Sequence, residues 1–332
     1  MNPSSLNFRR FRPTRATATT RDAAAETRLS VADFILPFFA VEGHRIDHPL
    51  PTLTGVSHLS IDNLVVAART ARAAGIDKVL LFGVVDAGEK SPDARAATRT
   101  DGLVPRAVAA LKADQPDLTV MTDVCVCAYT DHGHCGVLHG QEIDNDASLP
   151  LLADMALAHA RAGADVVAPS AMMDGQVAAI RARLDEEGFT KTRVLGYSAK
   201  YASKLYGPFR DAAASAPSFG DRKSYQMDVR NGREGVEEAA ADLAEGAWAT
   251  MVKPSSWYLD VVAAIKARFP QVPLAAYHTS GETMMVRHGA AAGLFPWREG
   301  LLENLTAIKR AGADLIITYN AVEAAAFLQE QL

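Results

Sequence analysis

Cysteine is scarce in this 332-residue chain: there are three, and all of them lie within residues 125–135. Three thiols cannot all pair with one another, so the sequence excludes a scaffold built on disulfides. No apolar run approaches the roughly 18 residues of a membrane span, and the N-terminal segment lacks the apolar centre of a secretory signal. A net charge of only −5 does not indicate nucleic acid as a partner. These absences favour a cytoplasmic protein that binds neither membrane nor nucleic acid.

The clustering of the three cysteines is the most informative feature of the chain. Thiolates are soft ligands, and three of them with one open position describe a zinc site of the catalytic kind. Cys125 and Cys127 are two residues apart, so on a strand both sulfurs would point to one face. The loop 131–134 can then return Cys135 to them.

Two other interpretations of the cluster stay open. One is a structural zinc site that takes His132 or His134 as a fourth ligand. The other is a set of buried cysteines without any ligand, which the glycines on either side of Cys135 make less attractive because they indicate a shaped loop.

Residues 1–28 are basic, with six arginines against two acidic side chains. A disordered tail, an organelle-targeting peptide and an arm that grips another subunit would all have this composition. Phe8, Phe11 and Pro13 give an arm something to bury, which favours the third interpretation. We therefore expect an N-terminal arm over residues 1–28 and one catalytic domain over residues 29–332.

Beyond residue 30 the chain repeats one unit, a short apolar strand followed by a helix. The predicted strands are Phe34–Ala40, Lys78–Phe82, Leu118–Cys125, Asp165–Ala168, Arg193–Tyr197, Thr250–Val252, Leu274–Tyr277 and Leu315–Tyr319. Predicted helices include Ile61–Ala74, Leu151–Arg161, Gly235–Glu245 and Glu299–Arg310. At three junctions a glycine is expected to end the helix in a left-handed cap, namely Gly75, Gly163 and Gly312.

Eight alternating units without an evident linker predict an α/β fold, a single (β/α)8 TIM barrel. A doubly wound open sheet is the alternative, but no Gly-x-Gly-x-x-Gly turn follows the first strand. Residues 201–233 are poor in apolar periodicity and rich in Ser, Gly, Pro and Arg. They are predicted to form a lid over the active face.

Reactive groups in such barrels stand at the carboxyl ends of the strands. Here the third strand ends in the cysteines, while Lys200 and Lys253 follow the fifth and sixth strands. Lys253 follows an apolar strand and precedes a proline, so it is expected to be partly desolvated. Burial, a second ammonium nearby and a divalent cation all lower a lysine pKa. A lysine whose pKa is lowered attacks ketones and forms a Schiff base.

Six motifs in order resemble the porphobilinogen synthase family, also called the 5-aminolevulinate dehydratase family. They read DVCVC with HGHCG in 123–136, APSAMMDG in 168–175, YSAKYAS in 197–203, YGPFRD in 206–211, GDRKSYQ in 220–226 and MVKP in 251–254. The likeness runs from Arg28 to Tyr319. It implies the asymmetric condensation of two 5-aminolevulinate molecules into porphobilinogen, with loss of two waters, in tetrapyrrole (heme) biosynthesis.

The resemblance assigns roles to the reacting groups. Lys253 would hold the first substrate as a Schiff base and Lys200 the second. The zinc-dependent members have the three cysteines found here, so zinc is implied as the cofactor. Asp123 and Ser170 match residues that orient the amine of the second substrate.

The resemblance also assigns the substrate-binding side chains. Ser280 and Tyr319 would bind the carboxylate of the first substrate. Arg210 and Arg222, with Gln226, lie on the lid and would bind the second; arginine forks suit carboxylates, and a mobile lid would close the site over substrate. The remaining expected contacts are aromatic: Tyr206, Phe209 and Tyr277.

A second metal and a larger assembly follow from the same likeness. Glu238 matches an allosteric magnesium ligand in part of the family, although a solvated helix glutamate beside Glu237 is an equally good interpretation. The family's N-terminal arm embraces a neighbour, which implies a homo-octamer.

The chain departs from the family pattern at four positions: Ala171, Trp248, Thr279 and Thr283. Ala171 stands in place of an aspartate, which would remove a charge near the second substrate. Thr283 replaces an aromatic residue and is expected to loosen the packing below Ser280.

Two rival functions remain. A class I aldolase needs one Schiff-base lysine and no thiolate metal, so the cysteine cluster argues against it. A non-catalytic, zinc-binding oligomer descended from the same barrel would be expected to have lost a catalytic lysine or a lid arginine, yet all of them are present.

Overall fold

The computed structural model describes residues 7–330 of the chain. Its centre is a closed barrel of eight parallel strands that pair in the order of the sequence. They are β1 (Phe34–Val41), β2 (Lys78–Val84), β3 (Thr119–Val124), β4 (Val166–Pro169), β5 (Arg193–Lys200), β6 (Ala249–Lys253), β7 (Leu274–His278) and β8 (Leu315–Thr318). Pairing of Phe34 with Ile316 and of Ile35 with Ile317 joins β8 back to β1. The predicted TIM barrel is confirmed.

Helices surround the barrel and also cover part of its mouth. They span Ala18–Ala23, Ile61–Ala73, Leu103–Asp114, Asn145–Arg161, Gln176–Glu186, Gly207–Ala212, Gly232–Ala244, Leu259–Arg268, Ser280–Ala291, Trp297–Ala311 and Ala321–Gln329. Two antiparallel pairings lie outside the barrel: Asp47–Pro49 with Ser57–Ser60, and Val137–His139 with Glu142–Asp144.

The strand predictions are confirmed, with ends that differ from the observed ones by at most three residues. The largest error among the predicted helices is at the start of one of them, which begins at Asn145 rather than at Leu151. The cause is local, because the Asp144 side chain accepts a hydrogen bond of 2.9 Å from the amide of Ala147 and caps the earlier start.

The three glycine caps are also confirmed. Gly75, Gly163 and Gly312 have φ values of +89°, +102° and +122°. Only glycine adopts these angles without strain, so each helix can stop abruptly and release the chain into the next strand.

Alternate residues of each strand separate the core into two layers. The inward set fills the barrel and includes Ile35, Leu80 and Met121. The outward set packs against the helices and includes Val79 and Val120. Because of this alternation, the inward-facing side chains at the ends of the strands point into the barrel mouth.

The predicted arm contributes nothing to either core in the part that the structure describes. Residues 1–6 lie outside the described range. From residue 7 onward, the turn Arg12–Arg15 and the helix Ala18–Ala23 bury no residue, and Phe8 and Phe11 are 50% and 53% exposed. The role of residues 1–28 in holding another subunit stays a prediction.

Across residues 7–330, every helix is too short or too polar to cross a bilayer.

Candidate active site

Lys200 and Lys253 end β5 and β6 and are partners in the register of the two strands. Both side chains are buried, with exposed fractions of 5% and 4%. Aromatic rings surround Nζ of Lys253, with centroids 4.2 to 5.5 Å away: Tyr277, Phe209, Tyr197 and Tyr206. The structure therefore brings the two predicted lysines together in a largely apolar enclosure.

This enclosure lowers the pKa of Lys253 to about 7. Burial is the largest cause because it disfavours the charged ammonium, and the Lys200 ammonium adds repulsion. The Asp123 carboxylate acts in the opposite direction. Lys253 therefore has a free amine in a substantial fraction of molecules near neutral pH, as a nucleophile toward a ketone requires.

Lys200 is anchored to the neighbouring strand end. Its Nζ donates a hydrogen bond to the carbonyl oxygen of Ser170 and lies 5.7 Å from the ring centroid of Tyr197. Asp123 stands close by on β3. Burial raises the pKa of the Asp123 carboxyl, while the two lysines lower it. The four predicted catalytic residues thus converge at adjacent strand ends.

The three cysteines form one buried cluster, as predicted. Their sulfurs lie within 4.8 Å of one another, and the Sγ atoms of Cys125 and Cys127 are 3.3 Å apart. All three are free thiols. The explanation that placed Cys127 on a strand was wrong: β3 ends at Val124, and a 3-10 turn over Val126–Ala128 turns the chain. That turn brings the sulfurs together instead.

Electrostatics make the cluster suitable for a metal cation. Hydrogen bonding to Cys127 raises the pKa of the Cys125 thiol, whereas hydrogen bonding from Cys125 and Cys127 lowers the pKa of Cys135. Such closely spaced thiols cannot all ionise unless a cation neutralises them. Thiolates are soft donors, so the set suits a soft metal ion.

The two nearby histidines do not join this donor set. Within residues 7–330, the group that can converge on one ion comprises the three cysteines alone. Nδ1 of His134 lies 3.1 Å from the hydroxyl of Tyr225, and Nε2 lies 3.1 Å from the carbonyl oxygen of Phe219. Its ring therefore contacts the segment 201–233, which leaves the structural-zinc interpretation without a fourth histidine ligand.

Segment 201–233 lies on the loop between Cys127 and Cys135. Arg222 donates from Nη2 to the carbonyl oxygens of Gly133, at 2.9 Å, and of Ser215. The amide of Ser218 donates to the carbonyl oxygen of His132 at 3.0 Å. Although burial lowers the pKa of Arg222, the Cys135 and Cys127 thiolates raise it overall. A fixed cation therefore borders the thiol cluster.

Several buried polar atoms at the site have no hydrogen-bond partner among residues 7–330. They are Nε of Arg210, Nε of Arg222, both amide atoms of Gln226, Oδ1 of Asp123 and the hydroxyl of Tyr197. Buried polar groups are rarely left unpaired. Guanidinium and amide donors in this state suit an anionic, hydrogen-bonding ligand such as a carboxylate.

A second group of polar side chains lies beyond Lys253. The hydroxyls of Tyr277 and Tyr319 are 3.0 Å apart, and the amide of Phe209 donates to Oγ of Ser280 at 3.0 Å. The Tyr206 hydroxyl donates to the carbonyl oxygen of Lys253 at 2.9 Å. All the predicted substrate-binding residues therefore lie at the barrel mouth or in the segment that crosses it.

Glu238 lies apart from the cysteine cluster. It lines a cavity of about 950 Å³ together with other acidic residues. Burial, followed by repulsion from Asp242, raises the pKa of Glu238 to about 7. The Glu238 side chain is half-buried, unlike that of the exposed Glu237. The choice between a metal ligand and a solvated helix glutamate stays a prediction.

The departures from the family pattern have local partners. Thr283 is fully buried, and its hydroxyl lies 3.4 Å from Nδ1 of His278. Thr279 donates to Glu282 at 2.7 Å, and the ring of Trp248 lies 4.8 Å from the guanidinium carbon of Arg193. Thr283 and Thr279 therefore each make a polar contact, and the expected loosening of packing below Ser280 stays a prediction.

Two residues of the site were not predicted from the sequence. Tyr197 contacts both lysines, but strand alternation would pair residue 198 rather than 197 with Lys200. Glu282 is buried against the loops of β6 and β7. A sequence signal for it exists, because Thr279 and Glu282 have the spacing of a capping box.

Comparison with known proteins agrees with this geometry. A family model described as delta-aminolevulinic acid dehydratase matches residues 8–327. The delta-aminolevulinic acid dehydratase of Bacillus subtilis is 46% identical over 326 residues, covering 98% of this chain and 100% of that protein. The enzyme of the same name from Methanothermobacter thermautotrophicus is 48% identical over 315 residues, covering 94% and 95%.

A solved structure is similar over the same extent. Delta-aminolevulinic acid dehydratase (porphobilinogen synthase) from Toxoplasma gondii, in complex with the reaction product porphobilinogen, has a TM-score of 0.95 and 42% identity. The match covers 98% of this chain and 93% of that chain. The resemblance inferred from the six motifs is confirmed, and the chain belongs to the delta-aminolevulinic acid dehydratase family.

Proposed function

We propose that this chain, a lyase of its family, condenses two molecules of 5-aminolevulinate into porphobilinogen with loss of two waters. The reaction belongs to tetrapyrrole (heme) biosynthesis. The single observation that carries the mechanism is the pair of buried lysines in register beside three buried thiols. A ketone substrate needs such an amine, and a second substrate needs a second anchor.

Lys253 is the nucleophile for the first substrate. Its free amine attacks the ketone carbon, and the resulting carbinolamine loses one water to form the Schiff base. The rings around Nζ exclude bulk water, which protects the imine from hydrolysis. They also stabilise a cationic nitrogen through their faces.

Lys200 anchors the second substrate, also as a Schiff base. Its hydrogen bond to the carbonyl oxygen of Ser170 holds Nζ at the end of β4, the strand next to β3, which leads into the cysteines. Asp123, whose Oδ1 is buried without a partner among the described residues, would accept a proton from the substrate amine or orient it. The side chain of Ser170 would contribute to the same orientation.

Cys125, Cys127 and Cys135 would hold zinc, the soft divalent ion that proteins most often bind with thiolates. A bound zinc supplies Lewis acidity, which polarises the carbonyl or amine of the second substrate. The mutual distances and the burial of the three sulfurs support this assignment.

The carboxylates of the two substrates would be bound at opposite sides of the lysines. Ser280 and Tyr319, with Tyr277 beside them, would bind the first. The lid residues Arg210, Arg222 and Gln226 would bind the second, which supplies partners for their unpaired buried atoms. Tyr206 and Phe209 connect the lid to the Lys253 side of the site.

Further assignments extend beyond the chemistry. Glu238 is proposed as a ligand of a regulatory magnesium ion, supported by its half-buried place in an acidic cavity. A homo-octamer in which residues 1–28 hold a neighbour, a lid over about residues 201–233, and a cytoplasmic location complete the proposal.

Formation of porphobilinogen from 5-aminolevulinate tests the function directly. We expect activity that is lost with a chelator and returns with zinc. Borohydride in the presence of substrate should add a covalent mass at Lys253, and Lys253→Met should abolish this product. Lys191→Met, at an exposed lysine, is the matched control and should behave as wild type.

The outcomes separate the candidate functions. Activity that is indifferent to zinc would remove the thiol cluster from the mechanism. Trapping at Lys253 with no porphobilinogen under any metal would favour an aldolase-type barrel. Neither trapping nor product would favour a non-catalytic zinc-binding oligomer.

A further inference from the structure

Glu282 is a buried carboxylate that the mechanism above does not use. It lies in the first turn of the helix Ser280–Ala291, and the residue is 2% exposed. Among residues 7–330, no lysine, arginine or histidine forms an ion pair with it. Its partners among these residues are hydrogen-bond donors of the neighbouring loops.

Those hydrogen bonds come from the ends of two different strands. From the loop after β6, Oε1 of Glu282 accepts from the amide of Ser255 at 3.1 Å and from the amide of Ser256. From the loop after β7, Oε2 accepts from the amide of Thr279 at 2.6 Å and from its hydroxyl at 2.7 Å. One carboxylate therefore ties the two loops together.

Each loop carries a residue of the first-substrate site. Ser255 is two positions after Lys253, and Thr279 immediately precedes Ser280. The carboxylate thus bridges the segment that holds the nucleophile and the segment that holds the carboxylate-binding hydroxyl. These two groups must contact opposite parts of one substrate molecule.

The same helix end is also pressed against the lid. A Cβ on Gly281 would lie 2.5 to 2.9 Å from backbone atoms of Leu205. The amide of Phe209 donates to Oγ of Ser280. Residues Leu205 and Phe209 therefore hold the helix end that carries Glu282 in place. A shift of the loop after β6 or of the loop after β7 would disturb these contacts.

Helix capping alone does not account for this arrangement. A capping box needs only the contacts with Thr279, and a neutral glutamine serves that purpose as well. Burying an ionised carboxylate is costly unless many donors compensate it. The donors of Ser255 and Ser256 lie outside the capping motif and belong to the neighbouring strand end.

We propose that Glu282 is a positioning residue that fixes the separation between Nζ of Lys253 and Oγ of Ser280. That separation selects keto acids whose ketone and carboxylate are spaced as in 5-aminolevulinate. The inference rests on the proposed roles of Lys253 and Ser280. Glu282 itself does not touch substrate.

Reductive trapping with borohydride tests the inference without requiring turnover. Levulinate has the ketone and carboxylate of the substrate but no amine, and butanone has the ketone alone. In wild type, levulinate should be trapped at Lys253 much faster than butanone at equal concentration. We call the ratio of the levulinate trapping rate to the butanone trapping rate the levulinate advantage. In Glu282→Gln, the butanone trapping rate should stay within about twofold of the wild-type rate. The levulinate advantage should fall about tenfold or more.

Two further variants keep the test decisive. Glu299→Gln makes the same change at an exposed glutamate in the first turn of another helix, and its levulinate advantage should equal that of wild type. Thr279→Val removes one donor and keeps the carboxylate. If Glu282→Gln fails to fold, this milder variant should still show a reduced levulinate advantage.

Each outcome has one meaning. An unchanged levulinate advantage in Glu282→Gln, or in Thr279→Val where only that variant folds, overturns the inference. Equal loss of both probes also overturns it, because Glu282 would then act on the lysine or on folding in general. Absence of trapping at Lys253 in wild type overturns the proposed function instead.

Discussion

Lys200 and Lys253 stand in register on neighbouring strands because β5 contains an irregularity that β6 lacks. Gly196 pairs with Thr250 and Ala199 pairs with Val252, so two residues of β5 lie opposite one residue of β6. This is the pattern of a β-bulge. Without it, simple alternation from an inward Tyr197 would turn Lys200 toward the helices.

The neighbours of the bulge agree with this account. Tyr197 belongs to the barrel interior, whereas Ala199 packs in the outer layer. Ser198 also faces outward, since its hydroxyl donates to Asp242 at 2.6 Å. Because Ser198 and Ala199 both face outward, the next residue, Lys200, faces the barrel interior beside Lys253.

Removing the charge of Lys200 should change how Lys253 responds to pH. Burial and, after it, repulsion from the Lys200 ammonium together lower the pKa of Lys253 to about 7. Only the free amine attacks a ketone, so trapping becomes faster as the pH rises through this value. In Lys200→Met the pKa should rise, so the midpoint of the trapping rate should move to higher pH and the rate at pH 7 should fall several-fold. The pH profile of borohydride trapping with 5-aminolevulinate measures this, and an unchanged midpoint would contradict it.

Much of this fold can be predicted from the sequence because its signals are local. Apolar runs of strand length alternate with helices, and glycines such as Gly163 mark the junctions. The lysines and cysteines could be assigned to the site because a closed parallel barrel brings all strand ends to one mouth. Local sequence patterns and this one rule of barrel topology are therefore enough to predict the barrel and to assign the lysines and cysteines to its mouth.

The remaining features depend on contacts between distant segments. The bulge at Tyr197 arises from pairing with β6, and nothing in β5 alone distinguishes it from a regular strand. The loop that follows the Cys127 turn is bonded to Ser218 and Arg222, which are 86 and 89 residues away from their partners in that loop. Glu282 has a capping signature, but its bonds to Ser255 and Ser256 come from 27 and 26 residues away.

A side chain at Gly133 should weaken the contact between residues 201–233, the proposed lid, and the cysteine loop. Gly133 has φ of +71°, and a Cβ there would lie 2.3 Å from the carbonyl oxygen of Ala216. Gly133→Ala should therefore lower kcat/KM for 5-aminolevulinate by about tenfold or more, because the lid arginines are displaced. Limited proteolysis should also cut residues 201–233 faster.

Gly140→Ala is the matched control. Gly140 has a similar φ of +66°, but a Cβ there meets nothing within 4 Å. The backbone strain, about 1–3 kcal/mol, is common to both variants, and only Gly133→Ala adds the collision. Equal effects of the two substitutions would show that strain rather than lid contact is responsible.

Restoring the family's aspartate at position 171 should destabilise this chain rather than speed it up. Ala171 is fully buried within an apolar cluster that includes Met173 and Val177. Ala171→Asp would bury a carboxylate there, at a cost of about 2 kcal/mol or more in the free energy of unfolding. Thermal unfolding should show a lower Tm, and Ala182→Asp at an exposed position should not. A rise in turnover of about tenfold, equivalent to roughly 1.4 kcal/mol of barrier, would contradict this expectation and indicate a missing charge.

Neutralising Glu238 should stabilise the protein at high pH but not at low pH. Burial and Asp242 raise the pKa of Glu238 from 4.5 to about 7. The folded state therefore binds the proton more tightly than the unfolded state, and this contribution to stability is lost as the pH rises through about 7. Glu238→Gln has no buried charge at high pH, so its Tm should exceed that of wild type at pH 8 and match it near pH 4.

If magnesium binds at Glu238, adding it at pH 8 should raise the Tm of wild type more than that of Glu238→Gln, because the cation relieves the same repulsion. Glu237→Gln changes the exposed neighbour and should have the Tm of wild type at every pH. If Glu238→Gln also had the Tm of wild type at every pH, the cavity would not raise the pKa of this carboxyl.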